Sequence, residues 1–101
     1  MTTDPFFRMT VEDVFSIKGR GTVITGKIES GTLKVGDEVA IKRANGQKKT
    51  VVAGLEMFRK MLSQVNAGDE VGVLFRDIDK QDVQRGDVIL PPSGSDFTWK
   101  P

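Results

Sequence analysis

The sequence contains no cysteine and no histidine, and these two absences exclude a good deal of chemistry. Without cysteine there is no disulfide and no thiolate metal site. Without histidine, Ser-His-Asp and Cys-His catalysis are ruled out, together with every zinc site that uses imidazole. No apolar run approaches the roughly 18 to 20 residues of a membrane-spanning helix. Met1-Thr2-Thr3-Asp4-Pro5 lacks the basic stretch and apolar stretch of a secretory signal. A cytoplasmic location with no membrane partner is therefore expected. No G-x-x-x-x-G-K-S/T loop, no magnesium-holding aspartate in a switch context and no guanine-specifying Asn-Lys-x-Asp occur, so GTP binding is not expected.

What is present is ordinary for a soluble domain. At 101 residues the chain has room for one core and not for two. Apolar residues make up 38% and charged residues 29%, which is no signature of disorder. Most of the 14 Asp and Glu serve as solvated charges. No catalytic residue, metal or cofactor is expected from them. Net charge is only +1, but it is unevenly spread: residues 18–60 carry ten bases against four acids, and residues 69–87 carry six acids against three bases. That asymmetry permits a basic face, although on charge alone a mixed solvated surface is the simpler account.

The chain reads as strands between turns. Thr22-Val23-Ile24-Thr25 is β-branched throughout, which suits a strand. Val39 and Ile41 alternate before the Asn45-Gly46 pair of a tight hairpin. Val71, Val73 and Phe75 alternate again, and Val88-Ile89-Leu90 runs into the Pro91-Pro92 stop. Strands are predicted near 8–16, 21–29, 38–43, 48–58, 70–76 and 87–90, with short helical turns over 59–65 and 79–84. Six short strands with frequent glycine turns indicate a closed all-β domain. The predicted core includes Val11, Val23, Ile24, Ile28, Val39, Ile41, Val51, Leu55, Val71, Val73 and Ile89. Some strands also carry apolar residues on the opposite face, which loops or a partner must cover.

A Gly-Asp pair opens a strand three times, at Gly36-Asp37, Gly68-Asp69 and Gly86-Asp87. Glycine supplies the positive φ of a turn, and aspartate can hydrogen-bond the backbone ahead of it. Arg85-Gly86-Asp87 is accordingly a structural turn and not a cell-adhesion motif. Gly19-Arg20-Gly21 runs into a β-branched strand instead of a helix N-terminus, so it reads as a hairpin with Arg20 at its tip and not as a phosphate cradle.

Two clusters carry a family resemblance. Val11-Glu12-Asp13-Val14-Phe15-Ser16-Ile17 followed by Gly19-Arg20-Gly21-Thr22-Val23 and Thr25-Gly26 resembles the opening of domain 2 of elongation factor Tu. Gly54-Leu55-Glu56-Met57-Phe58-Arg59-Lys60 resembles the characteristic middle segment of that domain. The order continues through Val35-Gly36-Asp37, Ala67-Gly68-Asp69, Val71-Gly72, Arg85-Gly86 and Pro91. The resemblance implies a closed six-stranded antiparallel β-barrel over 8–92, with a lead-in over 1–7 and a tail over 93–101. It implies a non-catalytic, translation-related module that binds the aminoacyl end of transfer RNA, weakly, or another RNA. Glu56 and Arg59 would take the polar roles beside the terminal adenine. Ile17, Val23 and Leu74 would line its apolar pocket, with Asp13 and Phe15 at the edge. Plain packing is the competing account of Ile17, Val23 and Leu74.

The sequence departs from the family pattern at Glu70, where asparagine is usual, at Asp77, where glycine is usual, and at Thr10, where proline is usual. A carboxylate at Glu70 repels an anionic ligand and costs more to desolvate than an amide. Two other readings therefore stay open: a protein-interaction or homodimerising barrel that works through its apolar outer face, and an excised piece of a full factor. The tail 93–101 does not resemble the start of a further domain, so a stand-alone relative of the domain is expected.

Overall fold

The computed structural model describes residues 3–43 and 46–92. The expected tail and the tip of the Asn45-Gly46 hairpin, residues 44–45, lie outside the described residues. Eleven strands run in chain order: β1 (Arg8–Thr10), β2 (Asp13–Ile17), β3 (Gly21–Ser30), β4 (Thr32–Lys34), β5 (Glu38–Arg43), β6 (Gly46–Val51), β7 (Gly54–Met57), β8 (Lys60–Leu62), β9 (Gln64–Asn66), β10 (Glu70–Phe75) and β11 (Val88–Leu90). One turn of 3-10 helix, Lys80–Asp82, stands between β10 and β11. Among the described residues no helix is long and apolar enough to cross a membrane.

The fold is all-β and antiparallel, but it is not the closed six-stranded barrel that was expected. Nine strands form one curled sheet in the order β6-β5-β11-β1-β3-β10-β7-β8, with β2 also on β3, and β4 pairs separately with β9. The terminal strands β6 and β8 do not pair with each other, so the sheet remains a half-barrel. The expected strand over 48–58 shows why. It breaks at Val52 and Ala53, whose N–H groups donate to the carbonyls of Asp37 and Leu74. β6 therefore belongs to β5, and β7 belongs to β10. The break also undoes the expected alternation: Val52 is buried and Val51 is 46% exposed, so Val51 leaves the core. The strand predicted over 8–16 breaks in the same manner at Val11 and Glu12, which donate to Asp87 and Thr25.

The short helix expected over 59–65 is absent. Phe58 and Arg59, both at positive φ (53° and 65°), reverse the chain so that β8 pairs back on β7, and β9 then pairs with β4. Three-residue pieces gain more from sheet partners than from an isolated helical turn, which is unstable alone. The other expected turn does form: the Asp82 carboxylate accepts the Asp79 N–H at 2.9 Å.

The long strand β3 organises the sheet. Its residues 22, 24, 26 and 28 point inward and are buried, whereas 23, 25, 27 and 29 face outward. Phe7, Met9, Ile24, Ile28, Leu33, Ile41, Leu55, Phe75 and Ile89 make up the bulk of the core. Ala40 and Leu74 are buried outside that cluster, on the outer face. Val23 is only half-buried and also belongs outside.

The three Gly-Asp turns are one device, with a difference from expectation. Gly36, Gly68 and Gly86 have φ of 94°, 95° and 94°. The aspartates reach back and not ahead: Asp37, Asp69 and Asp87 accept the N–H of Lys34, Asn66 and Gln84, each at 2.9 Å. Their own N–H groups return to the carbonyls of the same three residues. Asp87 is 5% exposed and also holds Arg43 at 3.2 Å, so its role within Arg85-Gly86-Asp87 is structural.

Candidate functional site

The register of β2, β3, β10, β7 and β8 places most of the candidate residues on one outer surface. Phe15 lies opposite Val23, Val23 opposite Leu74, and Leu74 opposite Gly54. One row along, Asp13 lies opposite Thr25, Thr25 opposite Gly72, Gly72 opposite Glu56, and Glu56 opposite Met61. Ile17, opposite Gly21, is the next outward residue beyond Phe15. Side chains alternate across a strand, so neighbours in such rows share a face.

Two glycines shape this face. A Cβ at Gly72 would lie 3.4 Å from Val23 Cγ1, and a Cβ at Gly54 would lie 3.5 Å from Leu74 Cβ and 3.6 Å from Met61 Cε. Neither glycine puts a side chain over the surface beside Val23, Leu74 and Met61. Phe15, 51% exposed, and Ile17, 37% exposed, extend the same face along β2. The face thus presents a candidate slot, an apolar row with the Glu56 carboxylate beside it. Sequence reasoning missed Met61, Gly54 and Gly72 as parts of it. Only the register of β7 against β8 and β10 could have revealed them.

The polar candidates divide. Glu56 is exposed and makes no hydrogen bond or ion pair among the described residues, so its oxygens are available to a ligand. Arg59 is equally uncommitted but sits in the turn past the Met57–Lys60 pair, beyond the end of the row. Its backbone and that of Phe58 occupy the left-handed region, which is costly for side chains other than glycine. Asp13 is spoken for: Arg85 donates to it at 3.0 Å and to the Glu12 carbonyl at 2.9 Å. Among the described residues, no group of three or more Asp and Glu is placed to hold a metal ion.

Beside the slot, Glu12 and Glu70 crowd each other. Partial desolvation, then the charge and hydrogen bond of Glu70, then the charge of Asp13 raise the Glu12 carboxyl above its ordinary value, against the pull of Lys27. A raised acid favours its protonated form in the fold. Its stabilising contribution is present below the unfolded value of about 4.3 and is lost as pH rises through the folded value. Glu12→Gln is therefore expected to melt higher than the parent at pH 7.5, with the gain disappearing near pH 4. Glu29 and Asp82 shift the opposite way, held low chiefly by the Thr10 hydroxyl and by the Asp79 N–H. They weaken both proteins alike in acid, so the difference between two melting curves isolates Glu12. An unchanged or lower melting temperature for Glu12→Gln at pH 7.5 would remove the proposed repulsion.

Of the two unexpected residues outside the slot, Asp77 has a structural role. It accepts the Thr50 hydroxyl at 2.6 Å and ties the end of β10 to β6. A family model described as elongation factor Tu domain 2 matches residues 21–90. Val23, Glu56, Arg59 and Leu74 fall inside the matched span; Asp13, Phe15 and Ile17 precede it.

Proposed function

Because this chain belongs to the elongation factor Tu domain 2 family, we propose that it is a non-catalytic, translation-related binding module that receives the 3′-terminal adenosine of transfer RNA in the outer slot. The observation that supports this reading is the row Phe15–Val23–Leu74–Gly54, set beside an unengaged Glu56 across Gly72. An adenine needs an apolar slot of this kind with a few hydrogen-bonding groups at the rim, and Glu56 can accept from its exocyclic amine. Phe15 offers a ring face for stacking, worth about 1–3 kcal/mol per base.

Affinity should be weak, on the order of hundreds of micromolar. A few stacking and hydrogen-bond contacts must offset several kcal/mol of association cost. Titration of the labelled protein with a short RNA ending in CCA should shift amide signals around Glu56, Val23 and Leu74 in the NMR spectrum. Glu56→Ala should weaken binding by about five- to tenfold, the worth of one hydrogen bond, without lowering the melting temperature. Shifts scattered away from the slot at millimolar RNA would remove this function.

A second reading has its own observation. Phe58 is 83% exposed, Phe6 76% and Met61 64%, and apolar side chains so open to solvent favour association with another chain or a second copy. Sedimentation that shows a concentration-dependent dimer, lost on Phe58→Ser, would favour it over RNA binding.

A further inference from the structure

Away from the slot, a groove of about 360 Å³ lies over β5, β11 and β1. Arg8, Lys42 and Arg43 line it, and Val88 and Leu90 contribute apolar floor. The register accounts for the grouping. Lys42 is opposite Val88, which is opposite Thr10, and Ala40 is opposite Leu90 one row along. Three cations from two strands, Arg8 of β1 and Lys42 and Arg43 of β5, thus line one groove. The Nε of Arg8 is held by Glu29 at 2.9 Å, and the Nε of Arg43 by Asp87 at 3.2 Å. A guanidinium carries five N–H donors, so these contacts orient the two forks and leave their terminal nitrogens for a ligand. Lys42 is exposed and has no partner among the described residues. Arg43 also lines a smaller cleft of about 210 Å³ with Gln47 and Lys48, where Lys48 is engaged by Asp82 at 3.3 Å.

We propose that this groove binds phosphate groups of a single-stranded RNA. β11 is hydrogen-bonded on both sides, to β5 and to β1, and those two continue the sheet to β6 and β3. No free sheet edge is therefore offered to a peptide strand, which is what addition of a strand requires. The groove offers side-chain donors; Asp87, which lines it, and Glu29, which holds Arg8, are already engaged. β5 and β1 stand two interstrand steps apart, about 10 Å, a span that non-adjacent phosphates of an extended strand can bridge. Lys42 supplies the charge that no carboxylate offsets. The groove shares the outer face of the curled sheet with the slot, so the proposal extends the transfer-RNA reading, but it requires only an RNA strand and no CCA end.

The test is fluorescence anisotropy with a labelled oligouridylate of about eight nucleotides, over about 20–200 mM salt, where neutralising two or three phosphates of a single strand gives a log–log slope of about −1.4 to −2.1. Lys42→Gln should weaken binding severalfold and flatten the slope by about 0.7, the loss of one phosphate contact. Lys34→Gln, which removes a cation on β4 outside both the groove and the slot, should leave both unchanged. No binding at the lowest salt, or a slope unmoved by Lys42→Gln in a protein with parental melting, would overturn the groove. So would equal binding of an oligoglutamate peptide with equal sensitivity to Lys42→Gln, which would assign the groove to an acidic protein partner. Oligouridylate binding without CCA-specific shifts at Glu56 would sink the slot alone. The reverse pattern would sink the groove alone.

Discussion

Replacing Ile24 by aspartate is expected to leave the chain unfolded at 25 °C. Ile24 sits at the middle of β3, fully buried, with Val73 opposite on β10 and Val14 opposite on β2. No charged residue occupies either facing position, so the introduced carboxylate would find no partner. Removing the isoleucine packing costs about 2–5 kcal/mol. Burying a carboxyl without a hydrogen bond adds several more, whether it stays charged or takes up a proton. A domain this small has about 5–15 kcal/mol of stability to lose. Far-ultraviolet circular dichroism should show a disordered chain with no cooperative melt. A cooperatively melting Ile24→Asp protein would mean that the inward face of β3 had been assigned wrongly.

Gly21→Ala is expected to be the most damaging single-methyl change in the slot region. Gly21 has φ of 132°, where residues with a side chain are strained, and a Cβ there would be driven into the Phe75 carbonyl oxygen and to 3.1 Å from Arg76 Cα. Backbone strain costs about 1–3 kcal/mol and overpacking a similar amount, so a loss of about 3 kcal/mol or more follows. For a chain of this size that lowers the melting temperature by about 12–24 °C. Gly68→Ala is the internal control. Its φ of 95° is also unfavourable, but nothing stands within 4 Å of the added atom. It should cost only about 1 kcal/mol, or about 4–8 °C. Comparable melting temperatures for the two variants would show that β10 yields freely beside Gly21. Because β10 also carries Leu74, any Gly21→Ala protein that still folds should bind CCA-ended RNA more weakly than the parent.

The particular residues show how much was legible in advance. β-branched runs and alternation marked β3, β5 and β10 closely, because one buried face imposes a period of two on the side chains. The Gly-Asp turns were visible because a positive φ and a short acceptor are local requirements. The strands predicted over 8–16 and 48–58 were drawn too long, since nothing in Val11-Glu12 or Val52-Ala53 signals a break. Their N–H groups go to carbonyls far along the chain, and propensity carries no record of that. Val51 and Val52 changed places for the same reason. The residues 59–65 looked helical locally and became two strands because Phe58 and Arg59 accept a strained turn. The candidate slot was legible only as a resemblance at Ile17, Val23, Glu56 and Leu74. Met61 and the two glycines beneath it carried no sign of their role.

By itself, the sequence determined the all-β class, the turn chemistry, the exclusion of histidine and thiolate chemistry, and the kinship with elongation factor Tu domain 2. Each of these rests on residue type or on spacing within a few positions. Only the tertiary structure decided that the sheet stays open, with β6 and β8 not paired to each other. It alone set Val23 beside Leu74 over two missing side chains, and gathered Arg8, Lys42 and Arg43 into one groove. Those outcomes depend on which distant strands pair and in what register. A shift of one residue would send every side chain of a strand to the other face.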